Sequence, residues 1–241
     1  RDERMKALIL NSGMGKRMGL LTSRHPKCMT ELLEGETILS RQLKLLQQQG
    51  IREIVITTGL FDQVLVDYCH SLELDLSYTF VNNPVYDKTN YIYSIELAKN
   101  ALDDELVLMH GDLVFSGQVL DNALHSGSCM TVSSTAPLPE KDFKAVVKDG
   151  YICKVGVEFF ESAVAAQPLY HLKQKDWRIW LDRISDFCAR DERSCYAENA
   201  LNQVSDQCRI LPLDVKDSVC CEIDTPEDLE NVKNMLKDMR K

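Results

Sequence analysis

Leu8-Ile9-Leu10-Asn11-Ser12-Gly13-Met14-Gly15-Lys16-Arg17-Met18-Gly19-Leu20-Leu21-Thr22, closed by Pro26-Lys27, is the stretch on which the fold of this chain turns. An apolar run, the mark of a buried strand, breaks into three glycines, with Lys16, Arg17 and Lys27 close by. Glycines let backbone N–H groups approach a polyanion, and cations beside them neutralise a triphosphate. The stretch reads as a strand followed by a phosphate-binding loop.

Two commoner glycine motifs do not fit. The dinucleotide pattern G-x-G-x-x-G fails because Met18 stands where the third glycine belongs, and G-x-x-x-x-G-K-[ST] fails as well. The pattern present, G-x-G-x-R-M-x-x-L-T-x-x-x-P-K, resembles the signature of nucleotidyltransferases that join a nucleoside triphosphate to a phosphorylated small molecule and release pyrophosphate. The chemistry agrees on separate grounds. Attack on an α-phosphorus builds negative charge on the nonbridging oxygens and on the departing pyrophosphate, so catalysis is mostly positioning and charge stabilisation. Arg17 can fork two phosphate oxygens and Lys27 offers a compact charge that follows the incoming anion. Lys16 reads equally as a solvated loop lysine.

With 241 residues and 44% hydrophobic content, the chain can bury one sizeable core. A single domain over 1–241 is expected: a nucleotide-binding part to about 112, an acceptor-binding part over 113–224 and a C-terminal helix over 225–241. The net charge of −9 argues against nucleic acid as a partner. Nine cysteines without C-x-x-C spacing read as free thiols, and a cytoplasmic location is expected. No apolar run reaches the length of a membrane span, so no membrane partner is expected. Arg1 in place of methionine and the charged Lys237–Lys241 tail leave the native ends open. A fused C-terminal enzyme domain and a homodimer are both compatible with them.

Strand and helix patterns alternate through the first half. Strands are expected at Met5–Leu10, Ile51–Thr58, Leu74–Val81 and Glu105–His110, and helices at Ile38–Gln49, Phe61–His70 and Tyr91–Ala101. Such alternation predicts an α/β fold with a mostly parallel sheet, whose ligands gather beyond the carboxyl ends of the strands. Cys129–Ser134 and Ala145–Val155 read as β-ribbon, with Asp149-Gly150 as a hairpin turn. Leu169–Ala189 and Ala197–Val204 read as helices, and Arg209–Leu213 and Val219–Ile223 as strands. Thr225-Pro226-Glu227-Asp228 opens a last helix.

Asp112 and Asp224 each stand at the end of a predicted strand, where carboxylates can hold a divalent cation near the glycine loop. Each also reads as an ordinary turn or helix-end acid. Asn82-Asn83-Pro84 and Thr89–Ser94 offer amides and hydroxyls for a pyrimidine or ribose, and serve equally well as loop and capping groups.

Across nearly the whole chain the sequence is similar to the small cytidylyltransferases that activate phosphocholine or 2-aminoethylphosphonate with CTP. The likeness is carried by Gly13–Lys27, Gly50-Ile51, the Asn-rich segment through Ser94, Gly111-Asp112, Tyr196-Ala197-Glu198-Asn199 and Glu222-Ile223-Asp224. It implies a Rossmann-like α/β sheet with an added β-ribbon and Mg²⁺ on Asp112 and Asp224. It gives the phosphates to Arg17 and Lys27, and the nucleotide to Leu10, Ser12, Gly13, Gly59, Asn82 and Ser94, with Gly15 and Lys16 in the same loop. Asn11-Ser12 departs from the usual pair of alanines.

For the acceptor, a trimethylammonium head is normally held by aromatic faces, whereas a primary ammonium wants carboxylates and carbonyls. The phosphocholine enzymes carry a tryptophan where Ala197 stands, so Glu198, with Tyr196 and Tyr170, favours 2-aminoethylphosphonate over phosphocholine. Trp177 and Trp180 read either as a replacement cage or as core. Lys148 reads as a second cation for the phosphonate or as a solvated hairpin lysine. The rivals are a nucleotide-binding module without catalysis, a sugar-1-phosphate nucleotidyltransferase and, least of all, a dinucleotide oxidoreductase.

Overall fold

The computed structural model describes residues 4–13 and 15–240; Arg1–Glu3, Met14 of the glycine loop and Lys241 of the tail lie outside the described residues. In chain order the first half runs β1 (Met5–Asn11), β2 (Glu31–Leu33), β3 (Glu36–Thr37), α1 (Ile38–Gln48), β4 (Glu53–Thr58), α2 (Asp62–Ser71), β5 (Ser77–Asn82), α3 (Tyr91–Ala98) and β6 (Glu105–His110). The second half follows with β7 (Leu113–Phe115), α4 (Gly117–Leu124), β8 (Cys129–Val132), β9 (Lys144–Lys148), β10 (Tyr151–Gly156), β11 (Ala163–Ala165) and β12 (Tyr170–Leu172). It ends with α5 (Gln174–Ala189), α6 (Ala197–Cys208), β13 (Leu211–Asp214), β14 (Cys220–Glu222) and α7 (Pro226–Met239).

Seven strands form the central sheet in the order β13-β8-β12-β6-β1-β4-β5. All its ladders are parallel except the two made by β12. β1 lies inside, with β6 and β4 on either side, and Ala7, Leu8 and Ile9 have no exposed surface. Alternation along the strand sends Leu8 and Leu10 to a core shared with α3, α5 and α6, and Ala7 and Ile9 to a core shared with α1, α2 and α4. Each such leucine or isoleucine contributes about 1.5–3 kcal/mol by leaving water. A third, smaller core joins Met18, Ile38, Val114 and Ile223 to α7. The sheet is therefore mostly parallel and helix-flanked, with β9, β10 and β11 as a separate antiparallel ribbon, as the sequence leads one to expect.

Two expectations need correction. Leu169–Ala189 is not one helix: Tyr170–Leu172 is a strand between β6 and β8, and α5 begins at Gln174. Leu169, Tyr170, His171 and Leu172 are all buried, so the run carries no face-specific period, and Lys173 keeps an extended backbone before the helix. Cys129–Ser134 does not join the ribbon either. β8 is an inner strand of the main sheet, paired with β13 and β12 and buried along its length.

Candidate active site

The glycine loop after β1 folds into a tight 3₁₀ segment over Lys16–Thr22. Met18, almost fully buried, pins it to the small core, while the Thr22 hydroxyl donates to the Gly15 carbonyl at 2.8 Å. Gly19 has φ 61° and ψ −128°, a backbone that a side chain would forbid. The loop leaves Lys16 and Arg17 on the surface beside the cleft.

Lys27 follows Pro26 in a second short turn, and its ammonium lies between two carboxylates: Nζ donates to Asp112 Oδ2 and to Asp224 Oδ1, each at 3.2 Å. Arg17 Nη2 donates to the same Asp224 oxygen, also at 3.2 Å. Burial works against the charge on Lys27, but the two aspartates outweigh it and raise its pKa above the ordinary value.

Both acids are held from behind. The Gly111 amide donates to the Leu10 carbonyl, prolonging the β1–β6 ladder, and buried Gln42 donates to the carbonyls of His110 and Leu113 on either side of Asp112. The Ile223 amide donates to the Asp112 carbonyl at 3.0 Å, tying the two acidic strand ends together. Asp228 at the start of α7 accepts from the amides of Asp224 and Thr225, closing a capping box.

Two cavities open here. The smaller, about 160 Å³, includes Leu10, Asn11, Ser12, Tyr86, Thr89 and Asn90 in its lining. The larger, about 510 Å³, includes Lys16, Arg17, Asp142, Phe143, Tyr196 and Glu222. Gly13, Gly15, Lys27, Tyr91, His110 and Asp112 line both, so the phosphate loop and one acid form the seam.

Of the residues expected to bind nucleotide, Leu10, Ser12, Gly13, Gly15 and Lys16 line these cavities, and Gly59, Asn82 and Ser94 do not. Those three form a brace around Ser12. Its hydroxyl meets that of buried Ser94 at 2.7 Å, Asn83 donates to the same Ser94 oxygen, and Gly59 passes so close that a Cβ there would sit 2.7 Å from the Ser12 carbonyl oxygen. Asn82 donates to Thr58 Oγ1 and to the Gly59 carbonyl.

On the acceptor side, Tyr196 lines the larger cavity, whereas Glu198 and Tyr170 lie behind its wall. The Glu198 carboxyl accepts from the Tyr91 hydroxyl and from the Tyr170 hydroxyl, the latter at 3.0 Å. Burial, then the Glu198 charge, pushes both tyrosines well above their ordinary pKa. Lys148 stands on an exposed groove with Tyr151 and Arg209, away from both cavities. Trp177 and Trp180 are core, their indole N–H groups donating to the carbonyls of Leu102 and Ala197.

The cleft also holds groups to which the sequence reading gave no role. Glu222 stands two residues before Asp224, and the period of two along a strand was the available signal. Burial and the charges of Asp112, Asp224 and Asp142 push its carboxyl well above the ordinary pKa. Asp142, raised by burial and by Asp224, and Phe143 arrive on a loop with no motif. Among the described residues the nine cysteines are free, and no helix is long and apolar enough to cross a membrane.

Known proteins similar to this chain place it in a family. The CMP-5'-(3-aminopropyl)phosphonate synthase of Streptomyces rubellomurinus is 30% identical over 134 residues, 56% of this chain and 21% of that protein. The CTP:phosphoglutamine cytidylyltransferase of Campylobacter jejuni is 30% identical over 169 residues, 63% of this chain and 65% of that protein. The chain thus spans less than two thirds of either relative's length. In fold it superposes on the CTP:phosphocholine cytidylyltransferase of Streptococcus pneumoniae with a TM-score of 0.78 at 19% identity, over 97% of this chain and 99% of that one. Residues 7–140, more than half of the chain, match the MobA-like NTP transferase domain, and the chain belongs to that family.

Proposed function

We propose that this chain transfers CMP from CTP to a small zwitterionic phosphonate, 2-aminoethylphosphonate, with release of pyrophosphate and dependence on Mg²⁺. The observation that carries the reading is the seam. A nucleotide in the smaller cavity and an anionic acceptor in the larger one face each other across Lys27 and Asp112.

In this reading Ser12 and the Tyr86–Asn90 segment hold the nucleoside, and the glycine loop with Lys16 takes the phosphates. Arg17 stabilises the charge that gathers on pyrophosphate as it departs. Lys27 draws the acceptor's oxygen, already ionised near neutral pH, into line with the α-phosphorus, so no general base is needed. The acceptor's ammonium meets Asp142 and Glu222, the carboxyl groups that open on the larger cavity beside Asp224 and Asp112.

The residues fit a magnesium ion. Asp112 Oδ1 is buried with no hydrogen-bond partner, and the Lys27 ammonium marks a cationic position between the two carboxylates. No three metal-binding side chains converge among the described residues. That suits Mg²⁺, which takes one or two carboxylates and completes its shell with waters and substrate phosphates. Asp112 and Asp224 would hold it, and it would supply charge neutralisation at the α-phosphate.

Phosphocholine is the second reading, favoured by the aromatic row in which Phe143 packs edge-on to Tyr196 at 5.1 Å and Tyr196 faces Tyr91 at 6.0 Å. The test is pyrophosphate release with CTP and Mg²⁺, comparing 2-aminoethylphosphonate with phosphocholine. Faster release with phosphocholine replaces the first acceptor by the second. No release with any aminoalkyl phosphate or phosphonate ends both choices of acceptor and revives the reading of a binding module.

A further inference from the structure

We infer that Lys144 is a positioning residue for the acceptor: its buried ammonium staples the loop that brings Asp142 and Phe143 into the cleft, and so governs acceptor binding without touching the nucleotide. The inference rests on the function proposed above.

Lys144, the first residue of β9, has no exposed surface. Lysines are almost never fully buried unless paired, because desolvating an ammonium costs several kcal/mol. Yet its close partners are not carboxylates. Nζ donates to the carbonyls of Pro139 at 2.7 Å, Asp142 at 2.9 Å and Glu140 at 3.4 Å, all in one loop. The Phe160 ring covers the ammonium, its centre 4.1 Å from Nζ.

The loop has little else to fix it. Among the described residues, Pro137–Asp142 make no backbone–backbone hydrogen bond, and Pro137 and Pro139 have no N–H to give. A methionine would fill the same space without the desolvation cost, so the role left to the charge is to hold the three carbonyls. What the carbonyls fix is functional surface: Lys141, Asp142 and Phe143 line the larger cavity, and none of Pro139–Lys144 lines the smaller one. A loop held in place through Lys144 presents one carboxylate and one aromatic edge to the acceptor, while the nucleotide contacts lie on β1, the glycine loop and the Tyr86–Asn90 segment.

The experiment is Lys144→Met, with two readouts. In steady-state kinetics on whichever acceptor the wild type turns over best, the acceptor KM rises on the order of tenfold to a hundredfold, while the CTP KM and the kcat at saturating acceptor stay near wild type. In hydrogen exchange, the loop is read at the Ala166 amide, which donates to the Phe143 carbonyl at 3.2 Å: it exchanges faster, and the Met18 amide of the glycine loop does not. Phe160→Ala, at an exposed ring, gives a smaller rise of the same selectivity and serves if Lys144→Met does not fold. Equal changes in both KM values, or a loop whose exchange does not alter, would overturn the role given to Lys144. A wild type that turns over no acceptor at all defeats the proposed function instead, and the exchange readout still judges the staple.

Discussion

Lys27 Nζ and Asp224 Oδ1 lie 3.2 Å apart although 197 positions separate them in the chain. The contact closes the site: it joins the turn after the glycine loop to the strand end that precedes α7, and Arg17 donates to the same oxygen. Asp224→Asn keeps the shape and removes the charge. Pyrophosphate release falls roughly 10²–10³-fold and needs more Mg²⁺ for half-maximal rate. A magnesium titration of both proteins checks it, and unchanged magnesium dependence would detach Asp224 from the metal.

Gly59→Ala tests the brace behind Ser12. The new Cβ would meet backbone, not a side chain that can turn away, so the end of β1 must shift. A loss of about 1–3 kcal/mol in stability is expected, with weaker CTP binding. Denaturant melts and CTP titration calorimetry measure the two effects.

Tyr170→Phe separates a backing role from an acceptor-binding one. Removing the hydroxyl leaves one Glu198 oxygen without this partner, which costs about 1–3 kcal/mol in stability. The acceptor KM should stay within about twofold, since Tyr170 does not reach the larger cavity. A large, selective rise in acceptor KM would return Glu198 and Tyr170 to the substrate.

Glu105, at the opposite end of β6, predicts a pH effect on stability alone. Burial disfavours its charge, but hydrogen bonds from His171 and Lys173 outweigh this and hold its pKa below the usual 4.5. Between the two values the unfolded chain binds more protons, so the contribution is complete above about pH 4.5 and fades as pH falls through the lower value. Glu105→Gln should therefore melt earlier than wild type at neutral pH, by about 1–3 kcal/mol, with the gap closing in acid. Thermal melts across pH, alongside an unchanged kcat, give the check.

The legible parts of the site were those with local grammar. Gly13–Lys27 spells its own loop, and Asp112 and Asp224 follow apolar runs, so their place at strand ends could be read directly. Gln42 was hidden because its partners are the carbonyls of His110 and Leu113, remote in sequence, and nothing on its helix marks it. Asp142 and Phe143 were hidden because a lysine two residues from one and next to the other bends their loop. Glu198 misled for a related reason: an acid beside a tyrosine suggests a ligand, while the hydroxyls that satisfy it come from α3 and β12. β12 itself eluded the reading because a short strand buried on both faces looks like the beginning of the helix that follows.

β12 runs against its neighbours, so it is the start of this strand, not its finish, that arrives at the ligand edge of the sheet. Ala166 and Gln167, between β11 and β12, consequently enter the larger cavity from a direction no parallel crossover supplies. Extra residues inserted there would border the larger cavity and leave the smaller one alone, whereas the same insertion behind β12 would emerge at the far rim. On the proposed function, the inverted strand gives this architecture a place to change what it modifies while keeping what it spends.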